Sequence, residues 1–153
     1  MRKVWFNRQT DFEFDETLFS ATLESMLDRF EFDACEISIA VLGDSEIHEL
    51  NRQFLQHDYP TDVLTFPDDR TTESCLYGEI VVSSDTAQTN ASELGVDPVG
   101  ELLLYVVHGV LHLVGLDDHD PAKRMEMRKQ EQLFLEGAGF QYRYCATSDQ
   151  EQP

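Results

Sequence analysis

The sequence predicts an α+β fold: a small mixed β-sheet packed with about five helices, one of them buried. Three observations carry this. Alternating apolar and polar residues mark strands in the first half, most clearly at 35–42 and 76–83. Helical spacing dominates the second half, where LLLYVVHGVLHLVG, residues 102–115, is apolar on nearly all sides and therefore belongs in a core. The length of 153 residues suits one domain with its own hydrophobic core, expected over 1–145 and followed by a disordered polar tail, 146–153.

Taken in order, Val4 to Phe6 reads as a short first strand. Leu18, Phe19, Leu23, Met26, Leu27 and Phe30 fall at helical spacing, with Asp15 and Glu16 at the start, where the helix dipole favours acid. Cys35 to Leu42 is a strand punctuated by Gly43. Asp44 is the expected N-cap of a helix running to about Gln56. Residues 58–67 hold a turn and a short strand between Pro60 and Pro67, and Leu76 to Ser83 forms another strand. Ser84 or Asp85 caps a helix that Gly95 ends. Pro98 then opens the apolar helix, about Val99 to Val114, with Gly115 as its stop. Pro121 begins the last helix, which Gly137 and Gly139 close.

Hydrophobic residues make up 41% and charged residues 27%, ordinary for a globular protein. No apolar run is long enough to span a bilayer, and the basic N-terminus has no apolar segment behind it, so a cytoplasmic protein without membrane partners is expected. The three cysteines, Cys35, Cys75 and Cys145, lack Cys-x-x-Cys spacing and read as free thiols. The net charge of −19 repels polyanions at long range and favours neutral or basic partners. Any nucleic-acid role then needs a local basic patch or a cationic partner protein.

The chemistry lies in the buried helix. His108 and His112 are four positions apart and so stack on one face, where two imidazoles can share a metal ion. A third ligand is expected after the Gly115 turn, where Asp118 and His119 lie on the returning chain. A hydrogen-bonded core histidine is the bland alternative. It weakens when two occur at this spacing, because burying both without a partner costs a few kcal/mol. Nitrogen and oxygen ligands suit one Zn²⁺ ion with a fourth position open to water, which points to hydrolysis. Position 109 is glycine, not the glutamate that serves zinc peptidases as general base, so the base must come from elsewhere.

At HGVLHLVGLDDHD, residues 108–120, the chain resembles the YbeY family of metal-dependent endoribonucleases implicated in ribosomal RNA maturation. LNRQFLQHDYPTDVLTFP, residues 50–67, is similar to that family's Pro-Thr-Asp-Val-Leu-Ser-Phe-Pro block, and YGEIVVS, residues 77–83, to its Gly-Asp-Ile-x-Ile-Ser strand. The resemblance spans most of 45–135. It implies a zincin-like fold, one zinc ion, and action on single-stranded RNA at the 3′ end of 16S ribosomal RNA. The expected partners are ribosomal RNA and the small ribosomal subunit or its proteins, with no DNA.

The chain departs from the family pattern twice. The family's third ligand position holds Asp118 here, with His119 one residue later; register favours the first and imidazole chemistry the second. Phe54-Leu55 stands where the family carries Tyr-Arg, so a phosphate-facing guanidinium would have to come from Arg52 or Arg70.

Asp62 and Glu79 are the acids that could bear on the reaction, against a turn-capping role for Asp62 and a solvent-facing one for Glu79; with Arg52 they are the catalytic candidates. His48 and His57 read as surface residues. Lys123, Arg124, Arg128 and Lys129 read as a solvated, salt-bridged face rather than an RNA contact. The alternatives to a zinc endoribonuclease are a zinc hydrolase of another substrate and a non-catalytic ribosome-assembly factor whose metal is structural. A closed four-ligand site using both Asp118 and His119 would favour the latter.

Overall fold

The computed structural model describes residues 1–55, 63–117 and 119–142, with the side chains at 50–55 excepted. Its elements run β1 Arg2–Arg8, α1 Glu16–Arg29, β2 Ala34–Leu42, α2 Asp44–Leu55, β3 Val63–Pro67, β4 Cys75–Ser83, α3 Ser84–Leu94, α4 Pro98–Leu113 and α5 Pro121–Gly137. This is the expected α+β arrangement, with one mixed sheet of strand order β1-β2-β4-β3. β1, β2 and β4 are parallel, and β3 pairs antiparallel with β4 along the edge. No single helix among the described residues is long and apolar enough to cross a membrane.

Strand alternation divides the sheet into two faces. Val4, Phe6, Ile37, Ile39, Val41, Leu76, Ile80 and Val82 turn toward α1, α4 and α5 and join Phe19, Leu23, Leu102, Val106, Val110 and Phe134 in one core. On the other face Ile47 of α2 meets Leu42, Leu64 and Val81 in a smaller cluster. β1 runs longer than Val4 to Phe6: Arg2 and Arg8 continue the half-buried row of Val4 and Phe6, and Lys3, Trp5 and Asn7 form the exposed row on the second face.

Glycines bring α4 close to β4. A Cβ at Gly109 would stand 2.8 Å from Ile80 Cγ2, and one at Gly78 would stand 2.7 Å from Leu113 Cδ2. Each element thus receives a side chain of the other into a place where its own is missing. Gly109, foreign to the peptidase pattern, is here a packing requirement.

The helix ends follow capping chemistry. Asp15, Asp97 and Asp120 accept backbone N–H groups at the starts of α1, α4 and α5, and Pro98 and Pro121 occupy the first helical turns. Gly115, at φ +109°, closes α4: its N–H donates to His112 O and the Leu116 N–H to Leu111 O, the paired bonds of a Schellman turn.

Two caps differ from expectation. Ser83, not Ser84 or Asp85, caps α3, its hydroxyl accepting from the Thr86 N–H. Asp44 begins α2 but turns its carboxylate outward from that helix, to accept from the hydroxyls of Ser83 and Thr86, so it ties α2 to the start of α3.

Among the described cysteines, Cys35 and Cys75 are free thiols; Cys35 is buried and Cys75 half-buried. Burial pushes the Cys35 thiol above its usual range. Cys145, His57 and the tail 146–153 lie outside the described residues.

Candidate active site

α4 presents His108 and His112 on one side, as their spacing requires. Their Nε2 atoms stand 3.0 Å apart, and their rings meet edge to face at 4.6 Å between centroids. Two nitrogens bound to one tetrahedral zinc ion, each at about 2.0–2.1 Å, are separated by roughly 3.3 Å. At 3.0 Å one Nε2–H donates to the other Nε2, a spacing about 0.3 Å shorter than that of two ligands on a shared ion.

What holds His108 lies on another helix. Glu131 of α5 brings Oε2 within 2.6 Å of His108 Nδ1, and Tyr142 donates its hydroxyl to Glu131 Oε1 at 2.7 Å. A carboxylate can only accept, so Nδ1 carries a proton, and in the neutral ring the lone pair is then at Nε2, which faces His112. The His108 side chain is 27% exposed and that of Glu131 only 8%, so water reaches the ring but hardly its anchor. Carboxylates behind metal-binding imidazoles fix the ring and raise its basicity.

Burial first, and the neighbouring Glu131 carboxylate second, push the Tyr142 phenol above its usual range, while Arg128 pulls the other way. Arg128 is accordingly buried rather than part of a solvated basic face. Lys123 does lie outward, 3.6 Å from Asp117.

A sequence signal for Glu131 existed. It lies four residues after Met127 and four before Leu135, both buried, so it interrupts the apolar stripe of α5. An acid there requires a partner. Tyr142 had no such signal, because it follows the helix and arrives only after the turn at Gly139 returns the chain, with Phe140 seated against Gly100.

The other candidate residues divide as follows. His119 is described, and its side chain is 83% exposed, with Nδ1 4.0 Å from Asp117 Oδ1 and its N–H donating to that same oxygen. Glu79 lies on the sheet face opposite α4, in register with Ser38 and Phe66, so the sheet separates it from the imidazoles. Arg70 is engaged with Asp68 and lies over the Tyr77 ring, 4.3 Å from its centroid. Asp62 and Asp118 lie outside the described residues, as does the side chain of Arg52. Among the described residues no three histidine, cysteine, aspartate or glutamate side chains gather as a metal-binding group.

The sequence model of the family described as Endoribonuclease YbeY matches residues 4–139. The chain belongs to the endoribonuclease YbeY family. Among curated YbeY endoribonucleases, that of Elusimicrobium minutum is 37% identical over 128 residues, covering 81% of this chain and 90% of its own. The Carboxydothermus hydrogenoformans protein is 36% identical over 139 residues, covering 88% and 96%. The Rhodopirellula baltica protein is 48% identical over 101 residues, 65% of this chain but only about half, 52%, of that relative's length. The solution structure of a Thermotoga maritima protein has the same fold, with a TM-score of 0.62 and 29% identity over 90% of this chain and 89% of that one. YbeY family membership makes this a relative of hydrolytic nucleases and assigns α4, with its imidazole pair, to the matched region.

Proposed function

We propose that this chain is a zinc-dependent, single-strand-specific endoribonuclease of zincin-like fold that acts in ribosomal RNA maturation, at the 3′ end of 16S ribosomal RNA. The observation that carries the reading is the convergence of His108 and His112 at 3.0 Å, with Glu131 fixing the first ring. It is joined by kinship to enzymes named for cutting RNA.

In this reading His108 and His112 hold one zinc ion, with Asp118 as third ligand by register and His119 as the alternative. When bound, zinc supplies Lewis acidity: it lowers the pKa of water toward about 7 and draws electron density from a phosphoryl oxygen. The chain's own part is orientation. Glu131 accepts from His108 Nδ1 and so keeps Nε2 free to coordinate; Tyr142 holds the second oxygen of that carboxylate. Arg52 and Asp62 remain the candidates to meet the phosphodiester and move a proton. A net charge of −19 makes free RNA a poor ligand, so the substrate is delivered by the small ribosomal subunit or one of its cationic proteins, in the cytoplasm.

The test is metal analysis of the purified chain, followed by cleavage of single-stranded and duplex RNA with and without chelator. About one zinc per chain, cleavage of the single strand alone, and loss of cutting on chelation with recovery on adding zinc are expected. Cutting that survives complete removal of metal would overturn the assignment.

A further inference from the structure

An RNA strand at the imidazole pair needs a cation on its phosphates, and on a chain of net charge −19 that cation must be local. The cations of the sheet and of α1 are paired or turned away. Arg2 is held by Glu24 and Asp28, at 2.7 and 2.9 Å, and Arg8 by Glu16 at 2.8 Å. Arg29 donates to Gln130. Arg70 sits against Asp68 on the far face of the sheet, where Lys3 also lies on the exposed row of β1. Among the described side chains that leaves α5, which carries four of the chain's 11 lysines and arginines.

Two contacts fix how α5 lies on α4. Glu131 Oε2 meets His108 Nδ1 at 2.6 Å, and Phe140, nine residues on, packs against Gly100, eight residues back. The two helices therefore run antiparallel, nearly residue for residue. Continued the other way, that register sets Arg124, seven residues before Glu131, level with Gly115. This is about three residues, or roughly 4.5 Å along the axis, beyond His112. Seven residues make nearly two full turns, so Arg124 shares the inward face of α5 with Glu131 to within roughly 20°. It is half-buried, with its Nε enclosed. Arg128, between the two, is buried; Lys129 is exposed on the opposite side, and Lys123 is drawn outward to Asp117 at 3.6 Å.

The imidazoles open toward this same level. Glu101, Tyr105, His108 and His112 fall within about 60° of one another on α4. The first two are buried, the last two half-buried, and Gly115 beyond them is exposed. A strand entering there meets the negative end of the α4 dipole, which opposes a phosphate unless a cation stands beside it.

We propose that Arg124 is the guanidinium that holds a phosphate of the RNA strand where it enters the imidazole site over Gly115. Its planar fork matches two non-bridging oxygens of one phosphate, and its charge offsets the helix end. The inference rests on the nuclease reading for the identity of its ligand.

Binding and cutting are read separately. The binding probe is a fluorescein-labelled RNA hexanucleotide with 2′-O-methyl riboses, titrated into the zinc-loaded full chain by anisotropy at several salt concentrations. Arg124→Ala should weaken binding about tenfold. It should also flatten the slope of log affinity against log salt by about 0.7, the share of one phosphate contact on a single strand. KM for RNA cleavage should rise by a similar factor, with zinc content unchanged. Lys129→Ala, which removes the same charge from the opposite face of the helix, should alter neither affinity nor slope. Arg124→Gln keeps most of the stem, should show the same losses, and serves if the alanine variant does not fold.

Folded Arg124 variants with parental affinity and salt slope would overturn the proposal and leave an arginine that only caps α4. So would an equal loss in Lys129→Ala, a loss of zinc from the Arg124 variants, or a parent chain that does not bind the probe. A parent that binds through Arg124 yet cuts no RNA would sink the nuclease reading alone. Cutting that is equal with and without Arg124 would sink this inference alone.

Discussion

The two faces of the sheet use the same four strands and opposite strategies. Toward α4, β4 offers Leu76, Gly78, Ile80 and Val82, and the helix answers with Gly109 and Leu113, so the fit is tight to within a methyl group. On the far side the intervening residues are Tyr77, Glu79 and Val81, and the last two line an open cavity. The dense face fixes the direction of two imidazoles, which chemistry needs. The open face leaves Glu79 and half of Trp5 exposed to solvent. A packed face and an open one are thus separated by one strand thickness.

Removing a ligand should break the dense side most completely. His112→Ala is expected to reduce bound zinc to background and RNA cleavage at least about a thousandfold, with an unchanged fold; metal content and circular dichroism check this together.

Glu131→Gln sharpens the picture by keeping the shape and removing the charge behind His108. Zinc affinity should fall about 10–100-fold, measured by competition with a chromophoric chelator. Unaltered affinity would show that the carboxylate only fills space.

Gly109→Ala tests the fit itself. Its new methyl meets a branched carbon of Ile80, and the expected loss is about 1–3 kcal/mol in urea unfolding. Ile80→Ala, which removes the Cγ2 that the new methyl meets, should cost less in that chain than in the parent, because the two sites touch.

The smallest effect is expected from Tyr142→Phe, about 1 kcal/mol. It also has a pH signature. The phenol's pKa is raised in the folded chain, so above about pH 10 the unfolded state releases this proton first and stability falls with further rise in pH. The phenylalanine variant should show a flatter alkaline decline.

Much of the architecture was legible where one residue decides locally. Asp97, Pro98 and Gly115 bracket α4, and the apolar run between them sets its burial. His108 and His112 share a face because helical geometry allows nothing else. Alternation gave the faces of β2 and β4 but not their neighbours, since period two is silent on which strand pairs with which. Asp44 misled for a physical reason: its position suits a cap, but Ser83 and Thr86, distant in sequence, compete for the same carboxylate. Arg128 and Glu131 escaped because a charged residue in a polar-looking helix is ordinarily solvated, and the partners that make burial of Glu131 tolerable, His108 and Tyr142, come from α4 and from the returning chain. The far-side cavity was hidden for a related reason. Trp5, Glu36 and Glu79 come from three strands, and only the register unites them.

Tyr142, the last of the described residues, tethers the carboxylate behind His108, and it does so from beyond the final helix. A stop placed one residue before it would leave every strand and helix intact and still loosen the ring of His108, through a carboxylate deprived of its second tether. Shortened versions of this protein made for crystallisation or labelling should therefore retain residue 142, and a version that folds well yet loses zinc would betray where the trimming went too far.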